Sequence, residues 1–208
     1  MSGVADSRPL LVATRNPGKM RELRALLAPL NRPLLSLDEA GIAAAPDEDA
    51  VENEATFEGN ALAKAHYFAR RSGGRPVLAD DSGLRVHALG GAPGVHSRRY
   101  AGVTGDEAAV SAANSAKLLR ELGEIDDRRA ELVCAVAYVD GTREVVVVGR
   151  AAGRILRRPS GSGGFGYDPV FWSDDLGQTF AEASEGAKER VSHRARAVVA
   201  LRDVLSRS

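Results

Sequence analysis

The chain has 208 residues, 28 Lys+Arg against 28 Asp+Glu, zero formal net charge and a pI near 6.9, which excludes broad electrostatic attraction as an organising theme. A general nucleic-acid binder or membrane-surface protein is therefore not expected. Hydrophobic residues at 44% and charged ones at 27% exclude a disordered chain, and the single cysteine, Cys134, excludes an internal disulfide.

At roughly 150 residues per domain, the length fits one large domain or one with two lobes. Length leaves both open for a single domain over 1–208, with residues 1–8 expected to be flexible. The first twenty residues lack the long apolar core of a secretory signal. The longest purely aliphatic run, Val145 to Val148, falls far short of the roughly 20 residues of a membrane helix. A soluble, cytoplasmic protein is the expectation.

A short apolar run, Leu10 to Ala13, opens the ordered pattern. The polar turn Thr14-Arg15-Asn16-Pro17-Gly18 follows, then Lys19 and apolar residues at Met20, Leu23, Leu26, Leu27 and Leu30, a helical period. A strand is predicted around Leu34 to Leu37, and the acidic, alanine-rich stretch Ala43 to Glu54 reads as a loop. Phe57, Ala61, Leu62, Ala65, Phe68 and Ala69 recur at three and four, and Gly73-Gly74 stops that helix before a strand at Val77 to Ala79.

Gly90 to Gly94 is a loop. A helix from about Asp106 to Leu122 is predicted to turn Ala109, Val110, Ala113, Ala116 and Leu119 or Leu122 inward. Ala130 to Val139 and Thr142 to Val148 flank Asp140-Gly141, a strong hairpin signal. A glycine-rich segment, Arg158 to Gly166, precedes a strand at Pro169 to Trp172, and a helix from Val191 to Leu205 closes the chain. Early strand–helix alternation and a later hairpin predict an α/β fold with a mixed sheet.

Four clusters could carry chemistry. Thr14 to Lys19, at a strand end opening a helix, offers backbone N–H groups, the helix dipole and one lysine to phosphate oxygens, although such turns are also common without function. It is not a Walker A loop, since the second glycine and the Ser/Thr after the lysine are absent. Asp80-Asp81-Ser82-Gly83 follows a buried strand. Two adjacent acids need a cation such as Mg²⁺ or good donors to compensate them, and an Asp-rich turn is the plain alternative.

Gly163-Gly164-Phe165-Gly166-Tyr167-Asp168-Pro169 could offer ring faces to a planar base, with Asp168 reading a polar edge. A flexible loop pinned by two core aromatics is its alternative. Lys188 and Ser192-His193-Arg194 gather donors near a helix start, where phosphate or a carbonyl oxygen would suit them, or where Ser192 is simply the cap. Arginines 98, 99, 150, 154, 157 and 158 could guide an anion or form a solvated face, and Glu52 or Glu54 could join a metal site or keep a loop soluble.

Taken in order, LVATRNPGKMRELRALL, TFEGNALAKA, LADDSGL, LGGAPGVHSRRYAG, GGFGYDPVF and VSHRARA run from Leu11 to Ala197. On these six blocks the chain resembles the noncanonical purine nucleoside triphosphate pyrophosphatases, the HAM1-like inosine/xanthosine triphosphatase family. The resemblance implies an elongated, two-lobed α/β fold around a mixed, twisted sheet, with a cleft between the lobes, and a homodimer. It implies hydrolysis of dITP, ITP or XTP to the monophosphate and pyrophosphate with Mg²⁺, clearing the nucleotide pool of such bases.

By the same resemblance Thr14, Arg15, Asn16, Pro17, Gly18 and Lys19 would hold the triphosphate. Asp81 would bind metal and act as catalytic base, with Ser82 touching substrate and Glu52 a second metal carboxylate. Phe165, Gly166, Tyr167 and Asp168 would stack on and read the base, and Lys188, His193 and Arg194 would select a 6-keto purine. The chain departs from the family pattern at Glu54, where glycine is usual, at Gly59, where an acid is usual, and at Ala195, where glycine is usual. Rival readings are a phosphohydrolase that releases orthophosphate, a pyrophosphatase for modified pyrimidines, and a non-catalytic nucleotide sensor.

Overall fold

A computed structural model describes residues 8–207, apart from the side chain of Asp49. The expectation of flexibility at residues 1–7 lies outside the described residues. The described elements are β1 (Leu10–Val12), α1 (Pro17–Leu27), β2 (Leu34–Leu35), α2 (Phe57–Arg71), β3 (Val77–Val86), α3 (Glu107–Leu122), β4 (Arg129–Val139), β5 (Glu144–Ile155), β6 (Phe171–Ser173), β7 (Gln178–Thr179), α4 (Glu185–Val191) and α5 (His193–Ser206). Seven strands form one sheet in the order β2-β1-β3-β4-β5-β6-β7. It is mixed, as expected: β1 runs parallel to β2 and β3, whereas β5–β6 and β6–β7 are antiparallel. Among the described residues no helix is long and apolar enough to cross a membrane.

The chain divides into two compact units. The first comprises the described parts of Met1–Asp81 and Arg194–Ser208 together with Cys134–Gly149. Leu10, Val12, Leu78, Val136 and Tyr138 from strands pack there with Leu23 and Leu27 of α1 and Val198 and Leu201 of α5. Leu23 and Leu27 stand four apart, so one face of α1 carries both into this core.

Side-chain caps set the helix starts. Asn16 Oδ1 accepts from Lys19 N at 2.9 Å with Pro17 in the first turn of α1, and Thr56 Oγ1 accepts from Gly59 N at 3.0 Å ahead of α2. Each such cap is worth about 1 kcal/mol. Because β1 lies between β2 and β3, the chain reverses its winding direction at the C-terminal end of β1. In open α/β sheets that is where ligands bind.

The second unit comprises Ser82–Val133 and Arg150–His193. Its core joins Leu84, Val86, Leu132 and Ile155 to Leu118 and Leu122 of α3 and to Tyr167, Val170, Phe171 and Phe180.

Several sequence expectations need correction. Asp80-Asp81-Ser82-Gly83 is not a turn after a short strand but the middle of the ten-residue β3. The buried face of α3 is Asn114, Ser115, Leu118 and Leu122, while Ala109 and Ala116 are exposed. Asn114 turns the helix this way, since Nδ2 donates to Arg98 O at 2.8 Å and Oδ1 accepts from Ala101 N at 2.7 Å. β5 continues past Val148 because Gly153, Arg154 and Ile155 pair with β6. The strand expected at Pro169 begins only at Phe171, and α4, not foreseen, precedes α5.

Candidate active site

The first unit gathers charge where β1 and β3 end. Successive side chains on β3 alternate, so Asp80 and Asp81 go to different partners. Asp80 is fully buried, and its Oδ2 accepts from Lys19 Nζ at 3.1 Å and from Arg194 Nε and Nη2 at 3.2 and 3.1 Å. Arg194, also buried, donates its Nη1 to Glu22. Burial alone would raise the Asp80 carboxyl, but Lys19, Arg194 and Lys64 hold it well below the usual carboxylate range. Burial likewise would lower Arg194, and Asp80 and Glu22 raise it instead. Cys134 Sγ lies 3.8 Å from the same Asp80 oxygen, and burial, then that anion, pushes its thiol up to about 12.

Asp81 is buried and accepts from Asn60 Nδ2 at 2.9 Å through Oδ2. Here burial prevails over Lys19 and Lys64, and the carboxyl is raised. Lys64, one helical turn beyond Asn60 on α2, donates to Glu52. Although burial opposes ionisation of both, the pair and its neighbours keep Lys64 raised and Glu52 lowered. The carboxylates Glu22, Glu52, Asp80 and Asp81 thus meet the cations Lys19, Lys64 and Arg194 in one cluster.

Magnesium fits this donor set. The oxygens are hard, Asp81 and Glu52 are close enough for one carboxylate to feel the other's charge, and in the same cluster Asp80 Oδ1 is buried with no hydrogen-bond partner among the described residues. Among those residues no group of three or more His, Cys, Asp or Glu assembles as a dedicated cage. Mg²⁺ commonly takes one or two carboxylates and completes its shell with water and substrate phosphates.

Of the turn expected to hold phosphate, Thr14 Oγ1 accepts from Asn16 N at 3.2 Å, Asn16 caps α1 beside Pro17 and Gly18, and Lys19 reaches Asp80. Arg15 is engaged by Glu48, Asp38 and Ile42 O. Glu22, Asn60 and Lys64 were missing from the sequence-derived set. Their signal was spacing: Glu22 is one turn beyond Lys19, and Asn60 and Lys64 stand four apart inside the TFEGNALAKA block.

Glu54 and Gly59, two departures from the family pattern, prove to be neighbours. A Cβ at Gly59 would lie 2.8 Å from Glu54 Cβ, so a side chain at one position takes the room of the other.

The second unit holds the glycine–aromatic loop. Asp168, buried, accepts from Lys188 Nζ at 2.6 Å and from Phe165 N at 2.9 Å, both on Oδ2. Lys188 Nζ also lies 4.9 Å from the centroid of the Phe165 ring. Gly166 N donates to Ser111 Oγ of α3 at 3.1 Å, a contact no local motif announced. Gly164 takes φ +72°, and a Cβ there would fall 2.0 Å from Asp168 Oδ2, so only glycine closes this loop.

Tyr167 corrects the expectation of two stacking rings. Its ring is in the core and its hydroxyl donates to Ser97 O at 2.8 Å, whereas Phe165 is half-buried and lies outside that core. Ser82 is half-buried, while Ser192 and His193 are buried at the junction of α4 and α5. Ser192 has extended backbone, φ −64° and ψ 155°, which ends α4 and lets α5 begin.

An α/β sheet with a charged, partly desolvated cluster at its winding-reversal point, next to a capped helix start, defines a protein built to handle a phosphate-bearing ligand. The chain belongs to the Ham1 family, whose sequence profile matches residues 10–204. It is 47% identical over 197 residues to a dITP/XTP pyrophosphatase of Ralstonia nicotianae, covering 93% of this chain and 94% of that one. To a protein of the same name from Mycolicibacterium paratuberculosis it is 50% identical over 196 residues, covering 91% and 92%. The Ham1 protein of Coxiella burnetii has a similar structure, with a TM-score of 0.82 and 33% identity over 97% of this chain and all of that one.

Proposed function

We propose that the chain hydrolyses dITP, ITP and XTP to the nucleoside monophosphate and pyrophosphate, removing these nucleotides before a polymerase can use them. Relatives sharing about half their residues over nine-tenths of their length carry the name dITP/XTP pyrophosphatase, and the cluster around Asp80 and Asp81 supplies chemistry that fits it. In this reading the Gly18 amide at the start of α1, with Thr14, Asn16 and Lys19, holds the β- and γ-phosphates. Asp81 takes a proton from water as its oxygen attacks the α-phosphorus. The bond from that phosphorus to the bridging oxygen breaks, and pyrophosphate leaves with the electron pair.

The raised Asp81 carboxyl suits this role, because a general base works best with a pKa nearer the operating pH. Asp80 holds Lys19 in place. Magnesium, carried by Asp81 and Glu52, would neutralise phosphate charge when bound.

The base falls to the second unit. Phe165 would stack on it, and Ser82 would touch the substrate. Donors from Lys188, which holds Asp168, and from His193 would meet the 6-oxo group. Arg194 comes after these two as a keto reader, since three of its N–H groups already go to Asp80 and Glu22. The 6-amino group of adenine would put donor against donor and leave buried groups unpaired, at about 1–3 kcal/mol each. The same reading carries a cytoplasmic homodimer, which light scattering of the purified protein would check.

Pyrophosphate release from dITP, ITP, XTP, GTP and ATP, with and without Mg²⁺, tests the proposal. Release from the first three, dependent on Mg²⁺ and absent in Asp81→Asn while nucleotide binding persists, is the expected result. Orthophosphate as the first product, or ATP cleaved as fast as ITP, would overturn it.

A further inference from the structure

Arg15 sits in the turn assigned to phosphate, yet its guanidinium points to other work. Nε and Nη2 donate to Glu48 Oε2 and Oε1 at 3.1 and 2.9 Å, Nη1 donates to Asp38 Oδ1 at 3.1 Å, and Nη2 also reaches Ile42 O at 2.9 Å. Four of the five N–H groups of the fork, with at least one from each nitrogen, are therefore engaged by the segment from Asp38 to Glu48. Glu48 is held a second time, since Oε1 also accepts from Ala45 N at 3.1 Å and Arg71 Nη1 at 3.0 Å, while Arg71 Nη2 reaches Ala43 O at 2.9 Å. A planar fork meeting a carboxylate on two parallel bonds is the most directional ion pair available to a protein.

From Glu48 the chain makes one tight turn, Glu48–Ala50, closed by Val51 N donating to Glu48 O at 3.1 Å, and Glu52 comes next. Beyond it, Glu54 N donates to Asn60 Oδ1 at 2.8 Å, and Nδ2 of the same Asn60 holds Asp81. The backbone that carries Glu52 is thus suspended between two anchors, while Lys64 holds its carboxylate. One belongs to the phosphate turn, and the other is the amide that fixes Asp81.

We propose that Arg15 is a positioning residue that latches the acidic loop to the phosphate turn and so sets where Glu52 stands, and that it is not a ligand of the substrate phosphates. The proposal rests on the reading of Asp81 and Glu52 as the magnesium carboxylates. Without the latch Lys64 still holds the Glu52 carboxylate but the backbone that carries it is loosened, so removing the latch weakens the hold on the ion and leaves the hold on the nucleotide. Partners that orient a metal ligand typically contribute about 10–100-fold to metal affinity.

Arg15→Ala, Arg15→Lys, Glu48→Ala, Glu48→Gln and the double alanine variant of the full chain test this. Three readouts serve: Mn²⁺ binding to nucleotide-free protein by electron paramagnetic resonance, hydrogen exchange over residues 43–54, and KM for ITP with pyrophosphate inhibition at saturating Mg²⁺. Arg15→Ala and Glu48→Ala should each weaken Mn²⁺ binding by about tenfold, with the double variant no worse than either. Both should speed exchange over 43–54, and KM and pyrophosphate inhibition should change by less than about twofold. Arg15→Lys should rescue little, because one ammonium cannot span Glu48, Asp38 and Ile42. Glu48→Gln, the mildest change, should lie between Glu48→Ala and the parent.

A higher KM for ITP and weaker pyrophosphate inhibition in Arg15→Ala, with Glu48→Ala unaffected, would make Arg15 a phosphate ligand and overturn the proposal. Should the parent protein release no pyrophosphate or bind no Mn²⁺, the functional reading fails by itself. Exchange then decides the latch, and protection over 43–54 that survives Arg15→Ala would overturn it.

Discussion

Replacing Arg194 by Met should be among the most damaging single changes to stability in the first unit. Asp80 is fully buried, and Arg194 supplies two of the N–H groups on its Oδ2 while its own side chain is only 1% exposed. At a separation of 3.1 Å the pair attraction is about 5 kcal/mol for an effective dielectric near 20. Methionine fills much of the volume but strands a desolvated carboxylate on Lys19 alone and leaves Glu22 without that partner. Breaking a buried pair from one side costs about 3–5 kcal/mol. For a chain of this size that lowers Tm by roughly 6–20 °C.

The diagnostic is the second step. Arg194→Met combined with Asp80→Leu removes the stranded charge, and the freed Lys19, 17% exposed, can turn to water, so the double variant should be more stable than Arg194→Met. Urea unfolding of the four proteins at pH 7 gives the cycle. A loss below about 1 kcal/mol for Arg194→Met, or a double variant that simply adds both losses, would refute the reasoning.

The β4–β5 turn should confer pH-dependent stability. Burial would raise the Asp140 carboxyl, but hydrogen bonds from the Thr142 hydroxyl and amide and the Arg143 amide hold it well below its usual range. Its folded pKa is depressed, so its contribution is intact above the unfolded value near 4 and is lost as the pH falls further. Denaturant unfolding should show the gap between parent and Asp140→Asn closing below about pH 4, and a gap that ignores pH would contradict this. Gly164→Ala should cost about 1–3 kcal/mol in backbone strain and, by displacing Asp168 from Lys188, should raise KM for ITP more than it lowers kcat. Gly59→Ala should destabilise by about 1–3 kcal/mol through overpacking against Glu54, and Glu54→Gly should restore it, as thermal melts of the three variants would show.

Local signals carried the sequence reading where contacts are local. The period of α1, the Gly73-Gly74 stop after α2 and the Asp140-Gly141 turn all lie within a few residues of what they determine, and each is present in the fold. The apolar run stops at Ala79, so the sequence puts Asp80 and Asp81 at the end of a short buried strand or in an Asp-rich turn. What buries them is Arg194, 114 residues away, and Asn60, 21 residues away, and no window of periodicity contains those partners. Glu22 was passed over for the same reason, since its partner Arg194 lies 172 residues on. Tyr167 and Phe165 look alike in sequence. Only the carbonyl of Ser97, 70 residues earlier, assigns one ring to the core.

Cys134, sealed against Asp80, has a practical corollary. Thiolate, not thiol, is the cysteine form that reacts with alkylating agents and peroxides, so Cys134 of the folded chain offers these reagents no ready thiolate near neutral pH. A cysteine placed on the surface would then be the one labelling point for a fluorophore or spin probe, with the native residue left in place.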